Sequence, residues 1–276
     1  MAASAPPRPG PGLARRLPYF APRFHAMAHR GAHFGPTAGQ ENTLAAFRAA
    51  ADLGYRYIET DVQATRDGRL VVFHDDTLER LTGAPGRIAD RRHADLAALR
   101  VGGQPIPAFD EALEEFPRLR FNIDLKTPGA VEPLVRVLAR HQAGRRVLVG
   151  SFSQARLSRF RALTSGLVPT AAGVAGVAWT AFVPLLPRLL ASPGVALQVP
   201  LRHRLGPFDA AVFTRRLVAN AHAAGRVVHV WTVDDAAVIE AVVDAGADGI
   251  MTDRPDILKQ VLRRRDLWEA DDEQGR

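Results

Sequence analysis

Residues 57–75 read YIETDVQATRDGRLVVFHD. Tyr57 to Ala64 reads as a strand, Asp67-Gly68 is a favoured hairpin turn, and Leu70 to His74 is a second strand running back beside the first. Pairing Arg66 with Arg69 across the turn sets Asp61 opposite His74. Glu59 and Asp61 are two residues apart, so both carboxylates face one side of the sheet. Upstream stand HRG at 29–31 and ENT at 41–43. Strand ends that share one rim can aim polar groups at one point, which is what a hydrolytic site needs. The bland alternative, a solvated acidic hairpin with surface histidines, does not account for several such strand ends in succession.

The hairpin also settles the strand count. Short apolar runs alternate with helical patterns along the whole chain, the signature of βα units around a parallel sheet. Candidate strands are 26–29, 57–61, 70–74, 120–125, 147–151, 168–173, 195–199, 227–231 and 249–252. Because 70–74 returns antiparallel, it need not be a stave, and eight remain for an α/β fold, a (β/α)8 TIM barrel. Between them Asn42 is placed to cap a helix that Gly54 ends. Amphipathic helices are expected over Asp110–Phe116, Val131–His141, Ala155–Leu163, Asp209–Ala223 and Asp235–Ala245. Residues 76–105, with Gly83, Pro85, Gly86, Gly102, Gly103 and Pro105, break the rhythm.

A chain of 276 residues can bury a full core as one domain of this kind. Cysteine is absent, so disulfides and thiolate metal sites are excluded and a metal must use oxygen or imidazole. The net charge of +7 is uneven. Residues 1–24 hold Arg8, Arg15, Arg16 and Arg23 and no acid, whereas from Lys259 onward five basic and five acidic residues cancel. The body, 25–258, is left with +3, that is 7 − 4, too little to suggest a nucleic-acid partner. The opening MAASAPPRPGPG lacks the apolar core of a secretory signal, so 1–24 reads as a disordered basic tail and 263–276 as a charged one. No uninterrupted apolar run is long enough to span a bilayer, so the cytoplasm is the expected location.

HRG, ENT, the E-x-D strand, the T-x-D-G turn and the HD strand end occur in an order that resembles the glycerophosphodiester phosphodiesterase family. NIDLK at 122–126, VHVWTVDD at 228–235 and DGIMTDRP at 248–255 extend the likeness over about residues 26–262. The resemblance implies a barrel over 25–262 with a small inserted lobe at 76–105. It implies hydrolysis of a glycerophosphodiester to an alcohol and sn-glycerol 3-phosphate.

Two histidines beside paired acids suit this chemistry, since imidazole titrates near neutrality. His29 and His74 are the expected acid–base pair, their division into acid and base left open. His25, His33, His93, His141, His203 and His222 lack that context, and His229, inside a stave, reads as structural. Glu59 and Asp61 are expected to hold a divalent metal, Mg²⁺ or Ca²⁺, because converging carboxylates favour a hard ion. The family supplies a third acid, usually glutamate, where this chain has the shorter Asp124. Lys126 is one of two lysines beside 34 arginines, which suggests a need for a compact point charge. It falls on the family's phosphate-facing lysine position, and Arg30 suits bidentate contact with phosphate oxygens. Glu41 is expected to orient Arg30, and Trp231 to flank the glycerol or head group, with Phe152 a weaker candidate. The apolar stretch 174–190 reads either as a helix outside the barrel or as a lip for a lipid chain. Two rivals remain: a lysophospholipase D with weak peripheral membrane contact, favoured by that stretch and the basic tail, and a non-catalytic phosphodiester-binding barrel.

Overall fold

The computed structural model describes residues 14–182, 194–205 and 208–269. Its strands are β1 (His25–His29), β2 (Tyr57–Ala64), β3 (Leu70–Val72), β4 (Arg100–Val101), β5 (Gln104–Pro105), β6 (Arg120–Leu125), β7 (Val147–Gly150), β8 (Ala196–Pro200), β9 (Arg202–Leu205), β10 (Phe208–Ala211), β11 (Val227–Trp231) and β12 (Gly249–Thr252). The parallel order β7-β6-β2-β1-β12-β11-β8 makes seven staves, with β3 attached to β2. The gap between β7 and β8 is closed by Thr170, which pairs with Val149, and Ala171, which pairs with Ala196. The eighth stave, expected over 168–173, is thus a two-residue bridge. The α/β TIM barrel expected from the strand count is the fold, with the intervening helices on its outside.

The register explains where the polar groups go. His29 lies beside Glu59 across β1–β2, and Glu59 and Asp61 lie beside Asn122 and Asp124 across β2–β6. Side chains alternate along a strand, so this set points into the barrel near the C-terminal ends of its staves. The opposite faces of the same strands, with Ile58, Val62, Phe121, Ile123 and Leu125, pack on the outer helices in the main core.

Four expectations are corrected. The hairpin pairs Ala64 with Leu70 and Val62 with Val72, so the opposed numbers sum to 134 and Asp61 does not face His74. The turn takes one residue more than a tight hairpin, because the Thr65 hydroxyl bonds Asp67 (2.6 Å) and the Thr65 amide donates to the Arg69 carbonyl (2.9 Å). The cap of the helix Leu44–Asp52 is Thr43, which accepts from the Ala46 amide, not Asn42. The helix expected from Asp209 starts at Arg215 behind a Thr214 cap, and Phe208–Ala211 instead pairs with β9.

The fourth concerns the termini. Residues 1–13 and 270–276 lie outside the described residues, but 14–24 is folded rather than disordered. Tyr19 and Phe20 are buried with Met27, Tyr57, Leu148, Val227 and Met251, closing the N-terminal end of the barrel. The Tyr57 hydroxyl donates to the Tyr19 carbonyl, and Phe20 lies against the His25 ring (5.3 Å between centroids). The other end of the chain also packs: Trp268 lies edge-on to Tyr55, and Glu269 accepts from the Arg23 amide (2.9 Å). In the 76–105 segment Leu78, Ile88, Leu96 and Val101 form a small core with Val71, Phe73 and Ile106 on either side of it.

Phe20→Ala should therefore lower stability by about 3 kcal/mol, the usual scale for truncating a buried phenylalanine. Denaturant unfolding checks this, and an unchanged midpoint would show that the segment is not part of the core.

Candidate active site

One pocket at the C-terminal mouth of the barrel is lined by nine of the side chains singled out in the sequence: His29, Arg30, Glu59, Asp61, His74, Asp124, Lys126, Phe152 and Trp231; Glu41 stands behind it. The HRG turn shows why these residue types stand there. Arg30 has φ +53° and Gly31 φ +83°. A Cβ on Gly31 would come within 2.8 Å of Ala46, so only glycine fits between this turn and the helix behind it. Arg30 then donates to Glu41 through Nη1 (2.7 Å), with its Nε 3.4 Å from Asp61 Oδ2.

Glu59 and Asp61, both buried in β2, differ in their surroundings. Burial alone would raise Asp61, but Lys126 Nζ at 2.9 Å, with His74, Arg30 and the Asn42 bond, holds its pKa down. The Asn42 side-chain amide donates to Asp61 (2.8 Å) and accepts from the Thr60 hydroxyl, which gives Asn42 a place in the site rather than at a helix cap. Among the described residues the Glu59 carboxylate meets His29 Nε2, at 3.7 Å, and the Arg30 amide, at 3.3 Å. Burial and the neighbouring Asp61 push its carboxyl up to about 8. Asp124 accepts from Lys126 (2.8 Å), so this lysine sits between two carboxylates.

Each histidine of the pair leans on a carboxylate. His29 Nδ1 is 2.6 Å from Asp253 and His74 Nδ1 is 2.6 Å from Asp75. Burial by itself would lower His29, but Glu59 and the Asp253 bond raise its pKa. His74 reaches the pocket although the hairpin register does not bring it there. Past Val72 the chain curls over the end of β2, and the Gln63 side-chain amide donates to the carbonyls of Phe73 (3.2 Å), His74 (3.3 Å) and Asp75 (2.6 Å).

Several of these groups escape the sequence reading. Asp253 directly follows the last stave in the TDRP segment, a position that signals a rim residue, though spacing alone does not mark it out. His33, read as outside the site, places Nε2 3.1 Å from the same Asp253 oxygen. Arg80, from the inserted segment, bonds Asp75 through Nη2 (2.8 Å) and Glu41 through both Nη atoms (2.9 and 2.8 Å). Burial opposes it, but Arg80 and then Arg30 hold the Glu41 carboxyl down to about 2. His229, as expected, is structural: its Nε2 meets His25 Nδ1 at 3.0 Å beneath the pocket. Phe152 lies edge-on to Trp231 (5.9 Å) at the rim.

The sequence matches the glycerophosphoryl diester phosphodiesterase family over residues 29–133 and 130–257, nearly all of the barrel. The chain belongs to this family. A relative from Mycobacterium tuberculosis, named "Probable glycerophosphodiester phosphodiesterase 2", is 42% identical over 251 residues, 89% of this chain and 93% of its own. A phosphodiesterase from Oleispira antarctica, solved with the product sn-glycerol-3-phosphate, superposes with a TM-score of 0.71 at 25% identity, over 87% of this chain and 96% of that one. A glycerophosphodiester phosphodiesterase from Agrobacterium tumefaciens gives 0.71 at 23% identity, over 87% and 99%. This chain is accordingly an enzyme of the glycerophosphodiester phosphodiesterase class.

Arg80 joins the partner of His74 to the partner of Arg30. Arg80→Ala should cut kcat/KM about ten- to a hundredfold, the scale seen when a residue that orients a site group is lost. Arg80→Lys, which keeps the charge but not the fork, should fall between. Steady-state kinetics check both, and a wild-type Arg80→Ala enzyme would remove the residue from the account.

Proposed function

We propose that this enzyme cleaves glycerophosphodiesters to an alcohol and sn-glycerol 3-phosphate, with His29 and His74 as the acid–base pair and a divalent ion held by Glu59 and Asp61. The observation that carries the reading is that two imidazoles, each fixed at Nδ1 by its own carboxylate, border a buried acid pair in one pocket. A binding barrel needs no such pair, which disfavours the non-catalytic rival.

The donor set suits a hard ion. A buried carboxyl raised to about 8 is short of nearby positive charge: among the described residues no lysine or arginine side chain is ion-paired with Glu59, and the charges of His29 and Arg30 only partly offset its burial beside Asp61. Bound there, Mg²⁺ or Ca²⁺ supplies charge neutralisation for the phosphodiester. Asp124 would belong to this set less directly, because its Oδ2 is already engaged by Lys126 and only its other oxygen stands outside that contact.

The protein's own groups do the rest. Arg30 and Lys126 line the pocket as fixed positive charges that oppose the substrate's anionic oxygens. With Nδ1 bonded to Asp253, His29 keeps Nε2 for proton transfer, and His74 does likewise through Asp75. One Nε2 takes the proton of the attacking hydroxyl and the other gives a proton to the leaving oxygen. Trp231 and Phe152 wall the side where the glycerol or head group rests.

A second reading, lysophospholipase D action at a membrane surface, is favoured by apolar side chains around the mouth. Phe152 and Val174, 65% and 64% exposed, line the pocket, and the helix Val174–Phe182 also brings Val177 into its wall. The rest of the apolar stretch, 183–190, lies outside the described residues. On this reading Val174→Ser should slow a lysophospholipid roughly tenfold, the cost of losing one apolar contact, and leave glycerophosphocholine unaffected. Equal effects on both substrates would rule out an acyl-chain contact.

The principal reading is checked by glycerol 3-phosphate release. His29→Ala and His74→Ala should each lower turnover at least about a hundredfold, and the double variant should be little worse than either. EDTA should abolish activity and Mg²⁺ or Ca²⁺ restore it. Near wild-type turnover in His74→Ala, or full activity in metal-free enzyme, would contradict the assignment.

A further inference from the structure

Asp253 carries two imidazoles on a single carboxylate oxygen. Oδ1 is 2.6 Å from His29 Nδ1 and 3.1 Å from His33 Nε2. One partner is enough to orient His29, so the second imidazole has no task in the reaction derived above. The three donor atoms lie within 4.8 Å of one another, the one His/Asp/Glu group of this compactness among the described residues. The set opens to solvent: the Asp253 side chain is 39% exposed and that of His33 20%. Arg254, the neighbouring cation, is turned away into a two-bond contact with Asp256 (2.9 and 2.7 Å).

Two imidazole nitrogens and one carboxylate oxygen, with a fourth direction facing water, are the donors that Zn²⁺ takes. Mg²⁺ and Ca²⁺ prefer all-oxygen surroundings and compete poorly for imidazole. We propose that His29, His33 and Asp253 form a zinc site, separate from the carboxylate pair, whose occupation switches the enzyme off.

The inhibition follows from the ring's two nitrogens. Zn²⁺ binds the Nδ1 lone pair of His29: from the protonated ring the Nδ1 proton leaves to solvent, from the neutral ring it moves through solvent to Nε2, and in both cases the single ring proton then resides on Nε2. As a base, His29 then has no lone pair at Nε2. As an acid, it would have to leave a metal-bound imidazolate behind. Either role is lost, and the outcome does not depend on which histidine is acid and which is base. The inhibitory half rests on the proposed role of His29; the binding half does not.

The test uses untagged full-length protein stripped by a chelator and then held in excess Mg²⁺. Equilibrium dialysis should find one Zn²⁺ per chain in the wild type. His33→Ala and His33→Gln should each weaken that binding at least about tenfold, the lower end of what even an outer partner's loss costs a metal site. Both should keep Mg²⁺-supported turnover near the wild-type rate. His33→Gln retains a side-chain donor for Asp253 and so guards against a folding defect. Glu59→Gln should lose turnover yet still bind the zinc. Zn²⁺ should inhibit the wild type at concentrations that leave both His33 variants active. Wild-type zinc affinity in the His33 variants, or no zinc bound by the wild type, would overturn the site. Stoichiometric zinc with undiminished turnover would overturn the inhibition. Zinc binding by a wild type that releases no glycerol 3-phosphate would leave the site standing and remove the catalytic reading.

Discussion

Two carboxylates on the inward face of one buried strand set the terms for the whole mouth of this barrel. Glu59 and Asp61 are adjacent on that face, and a buried charge is costly unless paired. The surrounding residues answer that cost unequally. Asp61 is served by Lys126, Asn42 and Arg30 from three separate segments. Glu59 is left with an imidazole at 3.7 Å and one amide, and its carboxyl is raised accordingly. Of this buried pair, Glu59 is therefore the carboxylate with the less compensated charge.

From that imbalance the network extends outward through alternating charges. Asp61 meets Arg30, Arg30 meets Glu41, Glu41 meets Arg80, Arg80 meets Asp75 and Asp75 meets His74. The inserted segment thus reaches the chemistry through one guanidinium, while its own small core attaches it to β3. At the other end of the barrel, Tyr19 and Phe20 cover the His25–His229 pair. Gly249 leaves room for that pair: a Cβ there would lie 2.8 Å from the His25 Cβ and 3.0 Å from the His229 ring. The mouth is left for polar groups because the floor is sealed by aromatic ones.

The sequence exposed what is periodic or local. The seven paired staves and the inward pairing of Glu59 with Asp61 follow from spacing within a few residues. The hairpin register failed by one because the Thr65–Asp67 contact lengthens the turn, and His74 reached the pocket by a route that strand pairing does not describe. Asp253 and Gln63 were missed because their roles depend on neighbours that the fold alone supplies; Asp253 meets His29 across 224 residues of chain. The same holds for Phe20, whose apolar ring in a Pro- and Arg-rich opening gave no periodic pattern to read.

The central claim is that Glu59 completes its charge balance only with a cation, and proton release tests it most directly. Below the raised pKa of about 8 the Glu59 carboxyl holds a proton that an incoming ion must expel. Titrating Mg²⁺ or Ca²⁺ calorimetrically into metal-free enzyme, in buffers of different ionisation enthalpy, counts that proton. At about pH 7 the account predicts about one proton released per ion bound, falling towards none at about pH 9.5, where Glu59 is already ionised. Heats that are independent of buffer at about pH 7, with the ion bound, would contradict it.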